Sequence, residues 1–337
     1  MANLIQFEPT DIVNDVQKVV TSTWSDNTNN LQVAFTSSAQ AVFGSATSSG
    51  AHYIEVYHLA TTQSVQYAVA YGHKNGSGSL DFTNDIGAYG NSPSKNIYNQ
   101  YRQLVFGDEA SNFSFNGYTP DDIYVININR ARYKHNLKPA TLDFKLTGTG
   151  GSLELTDDSI TQTGSSTITN AGRQFNIVSG SSGVTLGSSL TQVTDSGSYG
   201  LFYPDAGFII LNPAALDHTI TSLAPTTTAN NDSLNHQKLY NHLKTGASFI
   251  VDSEEKVSSQ FYFARAKNNQ FNYTTNPSFV DNNGNVNIDS FIDNPTTYIT
   301  TVGLYNNNND LVAVAKLSQP VTKDFTKEAL IRVKLDY

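Results

Sequence analysis

The chain holds seven histidines, His52, His58, His73, His135, His218, His236 and His242, and no cysteine, so imidazole and carboxylate groups are what it can offer a metal. Their spacing opposes chelation. His236 and His242 fall on one expected helix, where six residues at about 100° each set them about 240° apart instead of on one face. Adjacent carboxylates occur at Asp108-Glu109, Asp121-Asp122, Asp157-Asp158 and Glu254-Glu255. Such pairs are raw material for acid and base catalysis. Each nevertheless stands beside an expected turn or element start, where a carboxylate caps backbone N–H groups and stays hydrated.

The stretch 281–289 places Asp281, Asn283, Asn285, Asn287 and Asp289 at alternate positions, in the manner of a calcium loop. Gly284 comes too early for that loop and its bidentate Glu is missing, so a hairpin turn is the expectation. Gly148-Thr149-Gly150-Gly151 lacks the Gly-Lys-Ser/Thr ending of a phosphate cradle, and no Gly-x-Ser-x-Gly elbow occurs. The sequence therefore predicts no catalytic, cofactor-binding or metal site, hence no cofactor and a chain that is not an enzyme.

The elements around these residues read as mainly β with a few short helices, in antiparallel β-sandwich-like domains. Residues 65–71 put Val65, Tyr67, Val69 and Tyr71 on one face by the period-2 rule, and 53–57 supplies a hairpin partner. Further strands are expected at 123–128, 142–146, near Leu153, at 175–178 and at 207–211. Ile97, Tyr98, Tyr101, Leu104 and Val105 recur at helical spacing between Pro93 and a Gly107 stop, which predicts a helix over 95–105. A second helix is expected over 235–244 with Gly246 as its terminator, and a third near 11–20. Residues 298–305 and 311–317 flank Asn306-Asn307-Asn308-Asn309-Asp310, a run tolerant of left-handed turns, so a hairpin follows. Residues 331–337 alternate to the last position, which predicts a strand tied into a sheet.

A length of 337 residues points to two domains or one large β architecture with insertions. The expected division is an N-terminal arm over 1–50, a β domain with one helix over 51–146, a Ser/Thr/Gly-rich β region over 147–230 and a C-terminal β domain over 231–337. Hydrophobic residues at 38% and aromatics at 11% suffice for a packed interior without disulfides. The net charge of −9 opposes a phosphate backbone, so nucleic acid is not an expected ligand. The start of the sequence lacks the basic residues and apolar run of a secretory signal, and no run approaches the roughly 20 residues that span a bilayer. Cytoplasmic synthesis and no membrane segment are expected.

Several passages carry a resemblance. Residues 294–305 with Leu311-Val312-Ala313-Val314-Ala315-Lys316 are similar to a hairpin of tail-fibre and baseplate proteins. The stretches 98–109, 128–134 and 264–273 resemble virion structural proteins of tailed bacteriophages, of the T4-like marine type that infects cyanobacteria. The resemblance runs from about residue 50 to the end. It implies a structural component of a virion, most naturally associated with tail or baseplate, made in the bacterial host and acting through contacts with other virion proteins and copies of itself. A head-decoration or neck protein, and a receptor- or glycan-binding module of a tail fibre, are the alternatives, and the Asn-rich loops leave room for contact with a host surface. A polar arm at one end and an alternating strand at the other suggest that one of them adds to a neighbour's sheet.

Overall fold

The computed structural model describes residues 4–25, 27, 31, 53–57, 64–79, 92–161, 167–185, 197–227, 234–274 and 276–336. In chain order the strands are β1 (Ile12–Ser22), β2 (Tyr53–Tyr57), β3 (Val65–His73), β4 (Asp122–Ile128), β5 (Asn136–Leu137), β6 (Asp143–Gly148), β7 (Gly151–Asp157), β8 (Thr167–Thr169) and β9 (Gly172–Ser181). They continue as β10 (Val184–Thr185), β11 (Gly200–Tyr203), β12 (Phe208–Leu211), β13 (Phe249–Ile250), β14 (Asp252–Ala266), β15 (Thr297–Tyr305), β16 (Leu311–Lys323) and β17 (Ala329–Asp336). The helices are α1 (Pro93–Phe106), α2 (Pro213–Asp217), α3 (Asn235–Gly246) and α4 (Asp289–Asp293). The fold is mainly β and antiparallel, as the sequence predicts.

The chain forms two compact units, a large one of Val19–Glu255 and a small one of Met1–Lys18 with Lys256–Tyr337. Strands β1 and β14 each carry the chain from one to the other.

The large unit is built on one sheet in the order β13-β6-β7-β9-β11-β12-β4-β3-β2, with β8 and β10 also paired to β9. The regions 51–146 and 147–230, expected as separate domains, contribute neighbouring strands to this sheet. The join is β12 on β4, with Ile209 opposite Ile126, a pairing across so many residues that no local pattern announces it. Tyr67, Val69 and Tyr71 share one face with Tyr124, Ile126, Ile209 and Leu211, while Val125, Phe208 and Ile210 point to the other. Both faces are covered, which is why β12 reads as an unbroken apolar run.

On the first face lie Trp24, α2 and the Leu239, Tyr240 and Leu243 side of α3. Rings of Tyr67 and Phe249 meet at 5.2 Å although β3 and β13 stand near opposite ends of the strand order, so the sheet curls round this core. On the second face lies α1, whose Tyr98, Tyr101, Arg102 and Val105 are buried at helical spacing. Gly107 ends α1 in the left-handed region at φ 77° and donates its N–H to Gln103 O, the expected cap. In α3 the terminator differs from expectation: Ala247 takes the left-handed position, and Gly246 is needed for closeness, since a Cβ there would stand 1.9 Å from Lys145 O.

Residues 11–20 are the clearest correction. From Ile12 on they form most of β1 instead of a helix, and Asp11 ends a short 3-10 turn. Ile12, Val13, Val16, Val19 and Val20 do fit a helical period, but all are β-branched, and that favours the pleated conformation.

In the small unit β14 pairs β17 antiparallel from Ser259–Asp336 to Ala266–Ala329, and β1 lies on the other side of β14. The alternating C-terminal residues are thus a strand within a sheet, as expected. β15 and β16 form a separate two-stranded ribbon. Its turn is closed by Asn306, whose side-chain oxygen accepts from Asn308 N and Asp310 N, and Asn309 adopts φ 65°. A bulge sets Leu304 opposite Ala313 and Tyr305 opposite Leu311, which leaves Val312 as the extra residue.

Candidate association surface

The residues with chemical potential are dispersed and mostly engaged in holding backbone. His52 and His58 lie outside the described residues. His73 is buried and accepts from Asn75 N, and desolvation lowers its pKa against the opposing pull of Asp121. His135 and His218 are exposed, on separate loops. His242 sits 2.5 Å from Lys238 O through Nδ1, so that nitrogen carries the proton, and its Nε2 accepts from Ser222 Oγ at 2.6 Å. Ser222 also accepts from Thr149 N, and the pair thereby fastens the β6–β7 turn to α3. Sequence reasoning missed this contact, since no motif links the two residues. Among the described residues no three His, Asp or Glu side chains group as metal ligands would.

The carboxylate pairs are separated in role. Asp108 accepts from Ala110 N and Ser111 N behind α1, and those bonds hold its pKa down. Asp121 pairs with Lys74 at 2.5 Å, while Asp122 is half-buried, accepts a hydrogen bond from the Tyr71 hydroxyl, and has its pKa pushed up to about 6, chiefly by desolvation. Asp157 accepts from Ala140 N and Ser159 N, and Asp158 from Asn176 N. Glu254 and Glu255 stand inside β14, not at a turn, and only Glu254 is buried. In 281–289, Asp281 closes the expected turn by accepting from Asn283 N and Asn285 N, with a bridge between Val280 and Val286.

A cavity of about 340 Å³ opens on the α1 face of the large unit, floored by β2, β3 and β4. Gln100, Tyr101, Asn127 and Asn129 line it, and Glu55 is its carboxylate. The Tyr57 hydroxyl donates to Glu55, and Tyr101, bonded to Asn127, has its phenol pushed up to about 12 by burial. Among the described residues, Glu55 is the one carboxylate in the lining and no histidine lines it.

The small unit presents a different kind of surface. Its core is thin: Leu304, Ile331 and Val333 are buried, with Phe7, Tyr262, Val302 and Leu317 half-buried around them. One face of the ribbon packs there. The other carries Tyr298, Tyr305, Leu311, Val312 and Val314 into the open, with Val312 66% and Val314 57% exposed. Leu4, Ile5, Val13, Val16, Phe325 and Leu330 are exposed as well. A two-stranded ribbon is marginal alone in water, and an apolar outer face is what such a ribbon shows when its full burial comes from a partner. Where the small unit buries a charge, it does so with every proton satisfied: Lys323 is 0% exposed and its ammonium donates to Asn268 O, Asn272 Oδ1 and Asp324 O at 2.7–2.9 Å.

No protein-family model, curated protein or solved structure matches this chain. Among the described residues no helix is long and apolar enough to cross a membrane.

Proposed function

We propose that this chain is a structural component of a multi-copy assembly, a tailed-phage virion with tail or baseplate placement, and that it acts through subunit contacts and not through catalysis. One observation carries the reading: the small unit leaves apolar side chains exposed on β1 and on the β15–β16 ribbon, and Leu330 exposed on β17. Exposed apolar surface of that kind marks protein–protein contact. The resemblance of residues 98–109, 128–134 and 264–273 to virion proteins supplies the setting, and head-decoration or neck placement satisfies the same surface. The test is to purify particles and to size the free chain by light scattering. Presence in the particle at stoichiometric copy number, with concentration-dependent association in solution, supports the proposal. A chain that stays monomeric and is missing from particles refutes it.

The cavity beside α1 favours a second reading, a receptor- or glycan-binding module, because Tyr, Asn and Gln side chains around a shallow apolar floor suit a sugar. Binding on a glycan array that is lost in Gln100→Ala and Asn129→Ala would support it, and an array with no binding would remove it.

A further inference from the structure

The first nine residues of β1 read Ile12-Val13-Asn14-Asp15-Val16-Gln17-Lys18-Val19-Val20. Their apolar positions are symmetric about Val16: two apolar, two polar, one apolar, two polar, two apolar. Symmetry of this sort has a definite meaning in a strand. When two copies pair antiparallel about a two-fold axis, the residue on the axis faces itself, and residues equally far on either side face each other. With Val16 on the axis, Val13 faces Val19 and Ile12 faces Val20 of the second copy, while Asn14 faces Lys18 and Asp15 faces Gln17. Every apolar side chain meets an apolar one. Placing Gln17 on the axis sets Val16 against Lys18, Asp15 against Val19 and Asn14 against Val20. Placing Asp15 there sets Ile12 against Lys18 and Val13 against Gln17. Only the Val16 register is self-complementary.

The structure presents this strand for pairing. β1 stands at the end of the order β1-β14-β17, so among the described residues its outer edge carries no strand. Val13, Val16, Val19 and Val20 are exposed although they alternate between the two faces, with Val16 at 58%. Pro, which blunts many natural edges, does not occur in it, and its two charged residues, Asp15 and Lys18, face polar partners in this register. A bare edge with β-branched residues on both faces is a template for another strand, and the symmetry of its pattern selects a second copy of this chain over an unrelated segment.

We propose that β1 is a homodimerisation strand, which joins two copies antiparallel about an axis at Val16 into one continuous sheet, β17-β14-β1 followed by β1-β14-β17 of the second copy. The proposal rests on the reading of this chain as a multi-copy component and specifies one contact that builds it.

Because the chain has no cysteine, single Cys variants of the full chain report on the pairing directly. Facing residues of an antiparallel pair have Cα atoms about 4.5–5.5 Å apart, within reach of a disulfide. Val16→Cys is therefore expected to give a disulfide-linked dimer under mild oxidation. Asp15→Cys and Gln17→Cys, each offset from its own copy by two residues, are expected to give little, whereas the double variant carrying both should cross-link. A maximum at any other position, or equal yields along the strand, overturns the register. Association by light scattering without cross-linking anywhere on β1 overturns the proposal but leaves the multi-copy reading in place, and a chain that is monomeric and missing from particles removes both. In parallel, Val16→Asp sets like charges face to face and should weaken dimerisation roughly tenfold or more. Unchanged dimerisation in that variant contradicts the proposal.

Discussion

The large unit hides most of its aromatic and aliphatic side chains on both faces of one curled sheet, with α1 over one face and α2 and α3 over the other, while Ile160, Ile168 and Val184 stay exposed. The small unit has three buried aliphatic residues at the heart of its cluster, a buried lysine held by three carbonyl oxygens, and strands that leave apolar side chains exposed. The same strand-forming residues are used in two ways. Where helices cover a sheet, its stability is internal. Where nothing of the described chain covers it, apolar surface stays open, and the proposed assembly rests on that surface.

The comparison breaks most visibly at the core of the large unit. Phe208 is buried on β12 and stacks on Tyr203 at 4.6 Å, so Phe208→Ala should lose about 3–5 kcal/mol in urea unfolding. A loss below about 1 kcal/mol would mean that this face is not a close-packed interior.

Acidity should move the two units in opposite directions. The raised pKa of Asp122, about 6 against an ordinary 3.8, means that its contribution is fully present below about pH 4 and is lost as pH rises through 6, by up to roughly 3 kcal/mol. Asp143 and Asp157 shift the same way through burial. In the small unit, Asp281, Asp324 and Asp336 are held low by hydrogen bonds, so their contribution is present above the ordinary carboxylate range and is lost on acidification. Hydrogen exchange against pH separates these trends, and Asp122→Asn should flatten the first. A large unit whose protection is indifferent to pH between 4 and 7 would contradict the assignment.

Lys323→Met should cost on the order of 2 kcal/mol, because it strands three acceptors, and the loss should appear as faster proteolysis near 268–272 with the large unit unaffected. At the small end, Val314→Lys lies on the open face of the ribbon and should change unfolding by no more than about 0.5 kcal/mol while weakening association. Equal effects of Val314→Lys on folding and on association would erase the distinction between the units.

Much of the large unit is legible from local pattern. Alternation in β3, the continuous apolar run of β12, and the Pro93 and Gly107 boundaries of α1 each follow from a period or a cap that a few residues define. The single sheet is not legible, because β12 meets β4 and β7 meets β9 through pairings that only tertiary packing selects. In the small unit the Asn-rich turn was readable, yet 11–20 misled, since apolar residues spaced for a helix are all β-branched and are exposed on both faces of a strand. Nothing in the sequence marks Lys323 as buried; two of its three partners come from a loop some fifty residues earlier.

Hydrogen–deuterium exchange on the full chain as a function of its concentration tests the central claim most directly. Protection gained at high concentration in β1, the β15–β16 ribbon and β17, with the large-unit strands unchanged, is the predicted result. Protection gained instead around α1 and its cavity, or none at any concentration in a chain that remains monomeric, would contradict it.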